Sequence, residues 1–151
     1  IKSILENISL PNLNQFAGFF SLDKDAELDA SMKQAKNLAI KAPNLQVDCA
    51  SLSGGNQQKV VIAKWLMSRP KILIMDDPTR GVDVGAKYEI YKLMNELAEQ
   101  GVSIIMISSE LEEVLGMSDS IMVMHEGRSN GMLNVAEATQ EKIMAMATNI
   151  A

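Results

Sequence analysis

The stretch Lys71-Ile72-Leu73-Ile74-Met75-Asp76-Asp77, closed off by Pro70 and Pro78, decides the fold class. A short apolar run between breakers, too short for a helix, reads as a buried strand of a parallel sheet. The run ends in two acids. Acids at the C-terminal end of such a strand lie where α/β sheets bind ligands. A helix N-cap, or a turn before Pro78, is the alternative reading. Immediately downstream, residues 84–100 carry Ile90, Leu93, Met94 and Leu97 on one helical face, and Gly101 takes the position past the helix end. Residues 102–108 repeat the buried-strand pattern. Strand, helix, strand in this order imply an α/β layer with a parallel sheet.

Further along, Ser109-Glu110-Leu111-Glu112 has the spacing of a capping box and predicts a helix to about residue 116. Strands are expected at 121–124 and about 128–133, flanking a Glu126-Gly127 turn. Thr139 caps a last helix ending near 148. Upstream, residues 53–68 form a helix that Pro70 ends, with Trp65 in its core. Another helix fills 22–41 and stops before Pro43. Ser3-Ile4-Leu5-Glu6 is a second capping-box pattern, starting a short helix that Pro11 stops. Nothing before residue 69 reads as a strand. The expected domains are therefore a helical subdomain at 1–68, an α/β core at 69–134 and a C-terminal helix segment at 135–151.

Of 151 residues, 47% are apolar and 22% charged, which excludes a disordered or fibrous chain. Fourteen basic residues against 19 acidic ones give a net charge of −5 and argue against a nucleic-acid partner. The single cysteine, Cys49, cannot make an intrachain disulfide and reads as a small packed thiol. No apolar run approaches the ~20 residues of a membrane helix. The sequence opens on Ile1 rather than Met, which suggests a processed chain or an excised piece. His125 has no His, Cys or paired acids at metal spacing and reads as a solvated turn residue.

Chemistry concentrates in two places. Leu52-Ser53-Gly54-Gly55-Asn56-Gln57-Gln58 opens a helix. Two glycines let a ligand approach the backbone, and first-turn N–H groups with the helix dipole make an anion site. A plain Ser N-cap followed by a loose glycine turn fits the same letters. The second place is Asp76-Asp77, because in nucleotide-hydrolysing folds such an Asp holds Mg²⁺ and a neighbouring acid orients water. Asp83, just before the 84–100 helix, reads as its N-cap.

The combination of residues 52–58, 72–79 and Arg80-Gly81-Val82-Asp83 resembles the signature loop, Walker B strand and D-loop of ATP-binding-cassette (ABC) transporter ATPases. It is most similar to the second ATPase half of the fused simple-sugar importers for ribose, xylose, arabinose and galactose or methylgalactoside. The resemblance covers about residues 3–147. It implies a partial P-loop NTPase core with a helical subdomain. The Walker A part is absent, since no Gly-x-x-x-x-Gly-Lys-Ser/Thr occurs in the chain. ATP and Mg²⁺ are the implied cofactors. Ser53, Gly54, Gly55, Gln57 and Asp83 are the implied nucleotide residues, and Asp76 the metal residue, through water.

Asp77 and Ser109 are the implied catalytic positions, both degenerate. The family usually has Glu at the first, and one methylene less retracts the carboxylate by about 1.5 Å, against a hydrogen-bond reach of about 2.6–3.2 Å. At the second it usually has His. The implied partners are ATP, another ATPase half of the same or a paired chain, transmembrane permease subunits and, indirectly, a periplasmic sugar-binding protein, with no nucleic acid. The implied place is the cytoplasmic face of the bacterial inner membrane, held peripherally. The whole protein would couple ATP hydrolysis to sugar uptake, whereas the 151 residues alone would be inactive. Two rivals are a non-catalytic regulatory half and a fragment of a DNA-repair or chromosome-structure ATPase. The acid excess and the D-loop speak against the latter.

Overall fold

A computed structural model describes residues 2–148. The last three residues of the expected 135–151 segment lie outside the described residues. Contacts divide the chain into two compact units, residues 1–74 with 78–105, and residues 75–77 with 106–151.

In the first unit, α1 (Ile4–Ser9) starts with both halves of the expected capping box: Ser3 Oγ accepts from Glu6 N–H, and Glu6 Oε2 accepts from Ser3 N–H at 2.8 Å. The Ser3 N–H bond first, then the Ser3 hydroxyl donating to Glu6 Oε2 at 3.0 Å, hold the Glu6 carboxyl below its ordinary pKa. Ile4 and Ile8 are fully buried where α1 packs on α2 (Lys24–Asn37) and α3 (Gly54–Leu66). Pro11 does end the α-helix, but the chain continues as a 3-10 helix over Leu10–Phe16, because proline at a helix start loses no hydrogen bond. Among the described residues before 69 only isolated bridges occur, Ser3 with Asp48 and Ala17 with Leu22. After β1 (Ile72–Asp76), α4 (Val84–Glu99) is capped by Asp83 and buries Ile90, Leu93, Met94 and Leu97. Gly101 follows with φ +87.

β1 pairs with β2 (Ser103–Ile107). Ser103 N–H bonds Lys71 O at one end and Asp77 N–H bonds Ile107 O at the other, so the strands run parallel. Burial on both faces, expected from the apolar run, is not what the structure has. Leu73 and Met75 are buried, but Ile74 is 65% exposed and Ile105 50% exposed. One face of β1 is buried; nothing among the described residues covers the other.

In the second unit, α5 (Leu111–Met117) begins at Glu110 without a side-chain cap. The predicted capping box at Ser109 is absent: the N-cap is Glu110, one residue later, and the Ser109 N–H that Glu112 would have to accept from bonds Asp77 Oδ1 instead. β3 (Ser120–His125) and β4 (Arg128–Asn134) form an antiparallel hairpin. Its turn residues, Glu126 and Gly127, both have positive φ, as a two-residue hairpin loop demands. Ile121, Val123 and Ile143 of α6 (Gln140–Thr148) form this unit's core, with Leu111, Val114 and Leu133 against them.

Two side chains depart from expectation. Trp65 is 49% exposed rather than core. α3 buries the face of Val60 and Ala63, and Trp65 falls off it, with Lys64 Nζ 5.3 Å from the ring centre. His125 is half-buried rather than solvated, its Nδ1 against Ala147 O at 2.5 Å, because α6 returns over the hairpin.

Candidate functional site

Ser53 has extended backbone (φ −60°, ψ 153°), so the helix begins at Gly54. The Ser53 hydroxyl caps no backbone N–H; its oxygen instead accepts from Asn56 Nδ2 at 2.9 Å. Gln57 N–H bonds Ser53 O at 2.9 Å. Among the described residues no protein acceptor meets the N–H groups of Gly54, Gly55 and Asn56. With the helix dipole behind them they form a local positive end.

The two glycines are dictated by close packing. A Cβ on Gly54 would lie 3.2 Å from Gly81 O, and one on Gly55 would lie 2.5 Å from Ala86 Cβ. The turn carrying Gly81 (φ +74°) and the start of α4 therefore fill the space behind the loop. Asp83 Oδ1 accepts from Ala86 N–H at 2.9 Å, which is the N-cap role. Gln57 Nε2 donates to Leu52 O at 2.8 Å and so steadies the loop from within.

A second set of bonds, which the sequence reading missed, holds this helix to its surroundings. Lys41 N–H donates to Asn56 Oδ1 at 2.8 Å. Lys59 Nζ, with an 8% exposed side chain, bonds Glu89 Oε2 at 2.7 Å and reaches Ala39 O at 3.4 Å. The Lys59 hydrogen bond first, then its charge and that of Lys41, hold the Glu89 carboxyl below its ordinary pKa. The Ser53-x-x-Asn56 spacing is a clue to the Asn56–Ser53 bond alone, while Lys41 lies too far from Asn56 in sequence to signal its contact. Lys59 and Glu89 lie too far apart in sequence to signal theirs.

The other candidate lies in the second unit. Asp76 is exposed at the end of β1. Asp77 follows with φ +44°, a left-handed conformation that Asp tolerates better than most residues. Its Oδ1 accepts from Ser109 N–H at 3.2 Å and from Ser109 Oγ at 3.4 Å. The two residues singled out in sequence thus meet across 32 positions. No group of three or more His, Cys, Asp and Glu side chains gathers among the described residues. That leaves room for Mg²⁺, which takes one or two carboxylates and completes its shell with phosphate oxygens and water; the Asp76 carboxylate fits such a role. Cys49 is half-buried, and desolvation, then Asp48, raises its pKa, so it is no activated thiol.

Residues 2–80, more than half of the chain, match the family model described as ABC transporter. The chain belongs to the ABC transporter family. It is 57% identical, over 98% of its length, to the xylose import ATP-binding protein XylG of Thermoanaerobacter pseudethanolicus. It is 58% identical, over 97%, to the ribose import ATP-binding protein RbsA of Bacillus subtilis. The chain covers 29% and 30% of those proteins, so it spans less than a third of the relatives it matches. A nucleotide-free ATP-binding cassette from an ABC transporter superposes with a TM-score of 0.76 at 25% identity, covering 97% of this chain and 59% of that one. The fold is thus the mixed α/β ABC ATPase type with a helical subdomain. Among the described residues no helix is long and apolar enough to cross a membrane.

Proposed function

We propose that the whole protein is the ATP-hydrolysing subunit of an ABC-type monosaccharide importer. The observation that carries this reading is the start of α3: three N–H groups without a protein acceptor among the described residues, at two glycines whose side-chain space is filled from behind. That cradle suits phosphate. Ser53, Gly54, Gly55 and Gln57 would close over the nucleotide held by another ATPase half, of the same or a paired chain, with Asp83 bordering the interface. Asp76 would hold Mg²⁺ through water, and the ion would supply charge neutralisation at the phosphates. Residues 1–68 form the helical subdomain, 69–134 the partial core and 135–151 the C-terminal segment in this reading.

The transporter relatives support the rest. Transmembrane permease subunits would receive the motion, and a periplasmic sugar-binding protein would deliver the sugar. The ATPase would sit peripherally on the cytoplasmic face of the bacterial inner membrane, with no nucleic acid involved. The Ser109–Asp77 bonds favour one refinement, that this half's own site hydrolyses little ATP and its signature loop serves the other. Uptake tests the reading. Cells lacking the gene should lose uptake of one labelled pentose or hexose and regain it with the intact gene. Unchanged uptake of every sugar tried would overturn it.

A further inference from the structure

We infer that Asn56 is a positioning residue that sets the direction of the Ser53 hydroxyl proton, and that the backbone of Lys41 sets Asn56. The inference rests on the phosphate role proposed for Ser53 and deepens it. Lys41 N–H can only donate, so the Asn56 atom facing it at 2.8 Å is the carbonyl oxygen. The amide nitrogen must then face Ser53, and it donates to Oγ at 2.9 Å. A hydroxyl whose oxygen is already accepting turns its own proton elsewhere. At this helix start that leaves the Ser53 O–H as a donor beside the N–H groups of Gly54, Gly55 and Asn56.

The residues that support Lys41 are themselves held. Lys59, one helical turn after Asn56, reaches Ala39 O at 3.4 Å and bonds Glu89 of α4. α3 therefore grips the 39–41 segment at two points, and the segment returns one backbone N–H to orient the loop. The relay is Lys41 N–H to Asn56 Oδ1, then Asn56 Nδ2–H to Ser53 Oγ, then Ser53 O–H to phosphate.

Asp and Ala substitutions separate this role from simple bracing. In Asn56→Asp the first oxygen still accepts from Lys41, but the second becomes an acceptor and captures the Ser53 proton. In Asn56→Ala the Lys41 bond is lost, while the Ser53 hydroxyl is free to turn. The test uses the full-length protein with its transporter partners and MgATP as the probe. It reads KM and kcat, together with amide hydrogen exchange over residues 39–43.

Asn56→Asp should lower kcat/KM for ATP at least tenfold and Asn56→Ala about threefold. Exchange at Lys41 should stay slow in Asp and become fast in Ala. In a Ser53→Ala background the Asp and Ala variants should differ by less than twofold. If Ala is the worse variant in both readouts, Asn56 only braces the loop and the inference is overturned. If the tenfold Asp effect persists without the Ser53 hydroxyl, added charge explains it, which also overturns it. Ser53→Ala with no effect of its own would instead sink the phosphate role itself.

Discussion

At Gly54 the geometry makes a demand that few side chains could meet. A Cβ there already presses on Gly81 O at 3.2 Å and lies 3.7 Å from Val82 Cγ1, so a longer side chain must displace the loop that carries the free N–H groups. Gly54→Asp in the whole protein should nearly abolish transport-coupled ATP hydrolysis. Like charges about 4 Å apart repel by about 4 kcal/mol at an effective dielectric of 20. Asp77→Asn should do far less, because Asn keeps an oxygen for the Ser109 donors and tolerates positive φ. Parallel measurement of ATPase and uptake rates decides; equal damage from both would reverse the roles assigned to the two sites. Asp77→Glu should raise turnover by less than tenfold, under about 1.4 kcal/mol of barrier, since Ser109, at the position where the resemblance implies His, still carries no positive charge.

Between elements, the α3–α4 contact joins the glycine pair at the start of α3 to the helix behind it. Gly55→Ala would place a methyl 2.5 Å from Ala86 Cβ and should destabilise the chain by about 1–3 kcal/mol. Adding Ala86→Gly should recover part of that loss in urea unfolding at low micromolar protein. A second tie is the Lys59–Glu89 pair. Glu89→Gln leaves a nearly buried ammonium without its counter-charge and should cost about 1–2 kcal/mol near neutral pH, the lower part of the range for charge-assisted bonds, because Glu89 is half exposed. The folded pKa of Glu89 lies below the unfolded one. Its contribution is therefore present above the ordinary carboxylate value of about 4.3 and disappears as pH falls through the depressed folded value. The gap between wild type and Glu89→Gln should narrow as pH falls below the ordinary carboxylate value and close once it has passed the depressed folded one. A gap that persists in acid would show that the pair is not its source.

For the whole molecule, the open face of β1 and β2 is the dominant physical fact. Ile72, Ile74, Ile105 and Ile107 are each at least half exposed. Apolar area of that kind drives association when nothing covers it. The 151-residue chain alone should form oligomers in analytical ultracentrifugation, and Ile74→Lys with Ile105→Lys should shift it toward monomer. It should also fail to turn over ATP, because it lacks a Gly-x-x-x-x-Gly-Lys-Ser/Thr loop to wrap the phosphates. Steady hydrolysis by a preparation free of contaminants would refute that.

Local chemistry decided what the sequence could settle by itself. Helix spacing placed α4 and its buried stripe, the Ser3 box placed α1, and the Glu126-Gly127 pair placed the hairpin turn, since each depends on neighbours within a few residues. The strings at 52–58, 72–79 and 80–83 carried the family resemblance as well, because glycine and acid positions are fixed by backbone conformation and charge. Tertiary structure alone decided the rest. The same Ser-x-x-Glu pattern that caps α1 fails at Ser109, where Asp77, distant in sequence, offers a better acceptor. An apolar run such as 72–75 gives the strand but not which faces are covered, for coverage is a property of the layers around it. The bonds from Lys41 to Asn56 and from Lys59 to Glu89 join residues 15 and 30 positions apart, beyond any local pattern, so only the folded chain could bring them together.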